Sequence, residues 1–207
     1  MGEYERRHAK GEQRIRQRWG RLAGLKLALS TEPQSTRAWQ RGSVGESKLA
    51  KSLAKLRRDD VIVLHDRRVP GSRANIDHLV ICPSGVFVVD AKLYTGVIDI
   101  KDVGGFFSGR DERLFVGGRD CSRLAVGMRW QVEATEEALD DGAIPVTPVL
   151  CFIDAEWPLF GGPRWFKGVL IESERSLKRR VKQRGELDLE EVRDTATVLS
   201  ERLPAHG

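Results

Sequence analysis

Asn75-Ile76-Asp77-His78-Leu79-Val80-Ile81-Cys82-Pro83-Ser84-Gly85-Val86-Phe87-Val88-Val89-Asp90-Ala91-Lys92 is the stretch whose reading decides the fold. Two apolar, largely β-branched runs, Leu79–Ile81 and Val86–Val89, flank Cys82-Pro83-Ser84-Gly85. Pro and Gly so placed predict two strands joined by a tight hairpin turn. Charged groups are scarce in buried strands, yet Asp77 opens the first strand and Asp90 and Lys92 close the second. Centring the turn on Pro83-Ser84 sets Asp77 opposite Asp90 on one face, and alternation puts Lys92 on that face too. A turn one residue longer or shorter would separate the two carboxylates to opposite faces. Opposed carboxylates repel, and need a proton or a cation. Hard oxygen ligands suit Mg²⁺. A single acid at a strand end commonly just ends the strand or forms an ion pair; three ionisable groups on one face favour a functional site.

Working outward, Gly42-Ser43-Val44-Gly45-Glu46 opens a predicted helix running to about Arg58. Glu46 shares its inward stripe with Leu49, Ala50, Leu53 and Ala54, while Lys48, Lys51, Lys55 and Arg57 lie outside. Two roles are open for Glu46: it joins the carboxylate site, or it stabilises the helix N-terminus through the dipole. Val61–Leu64 precedes the hairpin as a strand, and Val97–Ile100 follows it as a short one. Val103–Gly118, rich in Gly, reads as a hairpin excursion. Cys121–Leu139 is a helix with Leu124, Met128, Val132, Thr135 and Leu139 inward; Gln131 borders that stripe, where a lone Gln is usually at the surface. Val146–Asp154 and Trp165–Ile171 are strands, Pro158 to Pro163 the loop between them. Arg164, Trp165 and Lys167 have the chemistry to stack on and pair with nucleic acid, although packing within a strand is the commoner use. Ser173 caps a short basic helix, and Asp188 with Glu191 forms a capping box for a last one. His78 points away from Asp77 and reads as a packing or hydrogen-bonding histidine.

The 207 residues suffice for one domain with an appendage, and 40% hydrophobic with 31% charged residues is compatible with a packed core. Residues 1–41 hold ten Lys/Arg against four Glu; the remainder, with 25 basic and 26 acidic residues, is close to neutral. The basic excess therefore belongs to an N-terminal arm, residues 1–40, with a domain over 41–207. The arm reads as a helix over 1–29 with Ile15, Trp19, Leu22, Leu25 and Leu29 on one stripe, followed by a linker, Ser30–Gln40. Such a helix docks on its own domain, pairs two subunits as a homo-oligomer, or binds nucleic acid or an anionic membrane surface. Cys82, Cys121 and Cys151 form no zinc-ligand spacing and read as reduced core thiols, which fits a cytoplasmic location. No run approaches the length of a transmembrane helix, and the N-terminus lacks the apolar segment of a signal peptide.

The order Gly42-x-x-Gly45-Glu46, Ile76-Asp77-His78, then Gly85-Val86-Phe87-Val88-Val89-Asp90-Ala91-Lys92 with Tyr94 and Gly96 resembles the PD-(D/E)xK nucleases, and within them the nuclease-related domain, over about Arg41 to Asp154. Leu93 replaces a more usual polar residue, and Asp90 a more usual Glu. The resemblance implies an α/β restriction-endonuclease-like core, a mixed sheet of about five strands flanked by helices. It implies that Glu46, Asp77 and Asp90 bind Mg²⁺, replaceable by Mn²⁺, that Lys92 orients water or offsets phosphate charge, and that Gln131 assists at the phosphate or water. The expected activity is metal-dependent hydrolysis of nucleic acid, DNA in the first instance. The alternative is a non-catalytic nucleic-acid-binding or assembly module working through the basic arm.

Overall fold

The computed structural model describes residues 36–56, 58–72, 74–105, 109–158 and 164–206, with the backbone alone for 36–42. In chain order the elements are α1 (Thr36–Leu53), β1 (Ile62–Arg68), β2 (Asn75–Cys82), β3 (Gly85–Asp102), β4 (Glu112–Val116), β5 (Arg119–Asp120), α2 (Arg123–Leu139), β6 (Val146–Glu156), β7 (Arg164–Phe166), β8 (Val169–Ser173), α3 (Glu174–Arg180) and α4 (Leu189–Arg202). The expected arm helix and its stripe lie outside the described residues.

β2 and β3 form the anticipated hairpin, with Cys82 opposite Gly85, Ile81 opposite Val86 and so on to His78 opposite Val89. Gly85 makes the turn possible. Its φ is +110°, and a Cβ there would stand 2.4 Å from the Pro145 carbonyl oxygen. Gly85→Ala is therefore expected to lower stability by about 2 kcal/mol, the order of the left-handed penalty before the clash is added. Thermal unfolding measures this, and an unchanged midpoint would refute it.

The sheet is mixed and α/β, as expected, but has eight strands rather than about five. Its main path runs β1-β2-β3-β6-β8-β7, with β4 and β5 added along the far half of β3. β3, β6 and β8 are parallel; the other pairs are antiparallel. Parallel pairing of β3 with β6 needs a crossover, which α2 helps to provide. β4 lies within the expected Val103–Gly118 excursion and β5 just after it. The short strand expected at Val97–Ile100 is the continuation of β3, which passes through an irregularity between Leu93 and Gly96 to pair with β4. The single strand expected at Trp165–Ile171 is two, β7 and β8, folded back at Lys167-Gly168, both at positive φ.

Alternation sorts the hairpin side chains between two layers. Leu79, Ile81, Val86 and Val88 pack with Leu150, Met128 of α2 and Val192 and Leu199 of α4. Val80, Phe87, Val89 and Ala91 pack on the other face with Leu49 and Leu53 of α1 and Leu177 of α3. α1 begins at Thr36, inside the stretch expected as linker. It comes close to β3, since a Cβ on Gly45 would be 3.1 Å from the Leu93 Cβ. The expected capping boxes at Ser173 and Asp188 are both formed. Among the described residues no helix is long and apolar enough to cross a membrane.

Candidate active site

One rung beyond His78 and Val89, the ladder brings Asp77 of β2 and Asp90 of β3 face to face. Asp90 is 9% exposed; Lys92, two residues on, places Nζ 2.8 Å from Asp90 Oδ1. The contact is an ion pair rather than an aligned hydrogen bond, because that oxygen receives no well-directed donor among the described residues. Asp77 Oδ2 accepts from the Ala91 backbone N–H at 3.4 Å, which ties the β2 carboxylate to the strand between its two partners. Burial above all, then the charges of Asp90 and Glu46, push the Asp77 carboxyl well above the ordinary carboxylate range. Lys92 offsets part of this, and a hydrogen bond between the Asp77 and Asp90 side chains favours the protonated form.

Glu46 reaches this group from the opposite layer. It is half-buried and lies in the third turn of α1. That position removes the helix-dipole alternative, because the dipole acts only within the first turn. Its carboxylate is felt at Asp77, although among the described residues no three His, Cys, Asp or Glu side chains are close enough to enclose a metal ion. The site is thus three carboxylates against one ammonium, two acids touching and a third within electrostatic reach. An all-oxygen set with surplus negative charge fits a hard divalent cation.

His78 points to the other face, as alternation requires, and is 3% exposed. Its Nδ1 lies 2.8 Å from Nδ1 of His65, directly across the β1–β2 ladder, with the rings perpendicular. Burial pushes its pKa down to about 4, so one neutral imidazole donates to the other. It is a packing and hydrogen-bonding residue.

Gln131 is not at the surface. It is 6% exposed on α2, in the layer that covers the Asp90 and Lys92 face. Its Nε2 donates to Met128 Sδ at 3.8 Å, and its Oε1 is buried without a hydrogen-bond partner among the described residues. The structure does not bring Gln131 into contact with either aspartate. Two features of the rim escaped the sequence reading. Phe152, the register partner of Lys92, carries the Tyr94 ring edge-on at 5.9 Å, forming an apolar wall beside the ammonium. Lys48 of α1 pairs with Asp154 at 2.5 Å where β6 ends. The Tyr94 spacing, two beyond Lys92, was a usable signal; the Lys48 pairing, across 106 residues, was not.

The described residues form an α/β domain whose central hairpin sets two acids and a lysine side by side, with a third acid on a preceding helix. The nuclease-related domain model matches residues 41–153, and the chain belongs to that family. Every group of the cluster lies within the matched stretch, whereas β7, β8, α3 and α4 lie beyond it. No curated protein and no solved structure matches the chain.

Proposed function

We propose that this chain hydrolyses phosphodiester bonds in nucleic acid, DNA in the first instance, with Mg²⁺ or Mn²⁺ held by Glu46, Asp77 and Asp90. The observation carrying this reading is the Asp77–Asp90 pair with the Lys92 ammonium 2.8 Å from Asp90. When bound, the divalent ion supplies Lewis acidity toward the phosphate and activation of water. The chain's own groups do the rest. Asp90 fixes the Lys92 ammonium, which is aimed where negative charge grows on the phosphoryl oxygens. Asp77, anchored by the Ala91 N–H, has its carboxyl raised above the ordinary range by burial and by Asp90 and Glu46, and a bound cation would offset that crowding of charge. Gln131 is the amide available on that face: its Oε1, without a hydrogen-bond partner among the described residues, can accept from water, and its Nε2 can turn from Met128 to donate to a phosphate oxygen.

The test uses the full chain with single- and double-stranded DNA and RNA. Cleavage is expected with Mg²⁺ or Mn²⁺, abolished by chelation and restored by excess metal. Metal at about a hundredfold over its dissociation constant should also stabilise the fold by about 2.7 kcal/mol. A folded protein that cuts no substrate with any divalent ion overturns the reading, and leaves the nucleic-acid-binding or assembly module.

A further inference from the structure

Trp165 was assigned to strand packing on the commoner pattern, and the structure shows otherwise. It is 59% exposed on β7, the last strand of the main sheet path. Its cross-strand partner is Leu170, which packs with Leu177 and Val181, so the indole lies on the face that α3 covers. α3 and the turn after it carry Arg175, Lys178, Arg179, Arg180, Lys182 and Arg184. Lys178 is paired with Glu174 at 2.9 Å, and Arg180 with the fully buried Glu172 at 2.5 Å. Arg175, Arg179, Lys182 and Arg184 are exposed and form no ion pair among the described residues.

We propose that β7 and α3 form a contact surface for single-stranded nucleic acid. Trp165 is its base-stacking platform, and Arg175, Arg179 and Lys182 hold the backbone. Where the strand leads rests on the hydrolytic reading above. Lys92, Phe152 and Ser173 lie on one rung of β3, β6 and β8, so α3 starts two strand spacings, about 10 Å, from the Lys92 backbone. The cluster and α3 lie on opposite faces of the sheet, so a strand that occupies both passes around the carboxyl end of β8. An exposed aromatic face takes an unstacked base, which a duplex does not offer. A protein partner would need an apolar centre, and no other exposed large apolar side chain lies on β7, β8 or α3 among the described residues.

The experiment is fluorescence anisotropy of a labelled oligothymidylate and of a labelled duplex, in EDTA so that no turnover occurs. Trp165→Ala should weaken single-strand binding about tenfold or more, with Trp165→Phe largely retaining it and duplex binding little changed. Arg179→Ala with Lys182→Ala should lower the slope of log affinity against log salt by about 1.4, at about 0.7 per contact. Unchanged single-strand affinity in Trp165→Ala, an equal loss on duplex, or no oligonucleotide binding by the unsubstituted chain overturns the surface. Asp90-dependent cleavage with normal binding in Trp165→Ala overturns this surface alone. Loss of binding in that variant, without cleavage by the unsubstituted chain, supports the surface and overturns hydrolysis. Self-association lost in Trp165→Ala, with oligonucleotide affinity unchanged, assigns the indole to a protein interface instead.

Discussion

Lys92→Ala is expected to slow cleavage about a hundred- to a thousandfold at saturating substrate and metal, the range seen when one preorganised donor to a developing oxyanion is removed. Among the described residues, Lys92 is the cation paired with these aspartates, its Nζ 2.8 Å from Asp90 Oδ1. Its ammonium is compact, its side chain is 26% exposed, and its register partner on β6 is Phe152. Lys92→Arg should recover little, because a planar fork directs its donors elsewhere. Asp90→Ala should remove cleavage as well, for a different reason: it deletes a proposed metal ligand and releases the ammonium. The two are separable. Lys92→Ala leaves opposed carboxylates without their counter-charge, so its metal-free fold should unfold at lower temperature and recover when Mn²⁺ is added. Asp90→Ala should show a weaker response to Mn²⁺. Single-turnover rates and thermal midpoints with and without metal give both readouts. Cleavage by Lys92→Ala close to that of the unsubstituted chain would remove this residue from the chemistry.

The parts of this arrangement that were legible in sequence are local in origin. Pro83-Ser84-Gly85 sets the turn, the turn sets the register, and the register opposes Asp77 to Asp90. Capping boxes at Ser173 and Asp188 are likewise written within a few residues. What was not legible depends on contacts between distant segments. In sequence the second hairpin strand is expected to close at Lys92, with Val97–Ile100 a separate strand past Gly96. The Gly96 φ of +99° and the close approach of Gly117, 2.5 Å from where a Gly96 Cβ would be, instead carry β3 through a bulge toward β4. α1 begins earlier than the composition of Ser30–Gln40 suggested, which moves Glu46 from a helix end into the third turn and removes its helix-dipole role. The burial of Gln131 and the exposure of Trp165 run against the habits of their residue types, because the layer covering a residue is not encoded beside it.

The Asp77 carboxyl supplies the second large effect, and it has opposite signs for stability and for function. Its folded-state pKa is raised, by burial first and then by Asp90 and Glu46. Relative to the unfolded chain, folding therefore favours the protonated acid. The associated stability is fully present below the unfolded carboxyl pKa and is lost as pH rises through the raised folded value. As pH rises without metal, the fold bears the cost of a charge on a partly buried carboxyl beside Asp90 and Glu46. Asp77→Asn keeps the shape and deletes the charge. It should raise the metal-free thermal midpoint by several degrees at neutral pH, each kcal/mol being worth about 2–4 °C in a chain of this size. The gain should shrink toward zero in acid, where the native carboxyl is protonated anyway. The same variant should lose cleavage and most of the Mn²⁺-induced stabilisation, since a neutral amide is a poorer partner for a hard cation. Stability that increases as activity disappears is what a site strained for ion binding predicts. An Asp77→Asn protein less stable than its parent at neutral pH, or one that still cuts, would show that this carboxylate serves the fold and not the reaction.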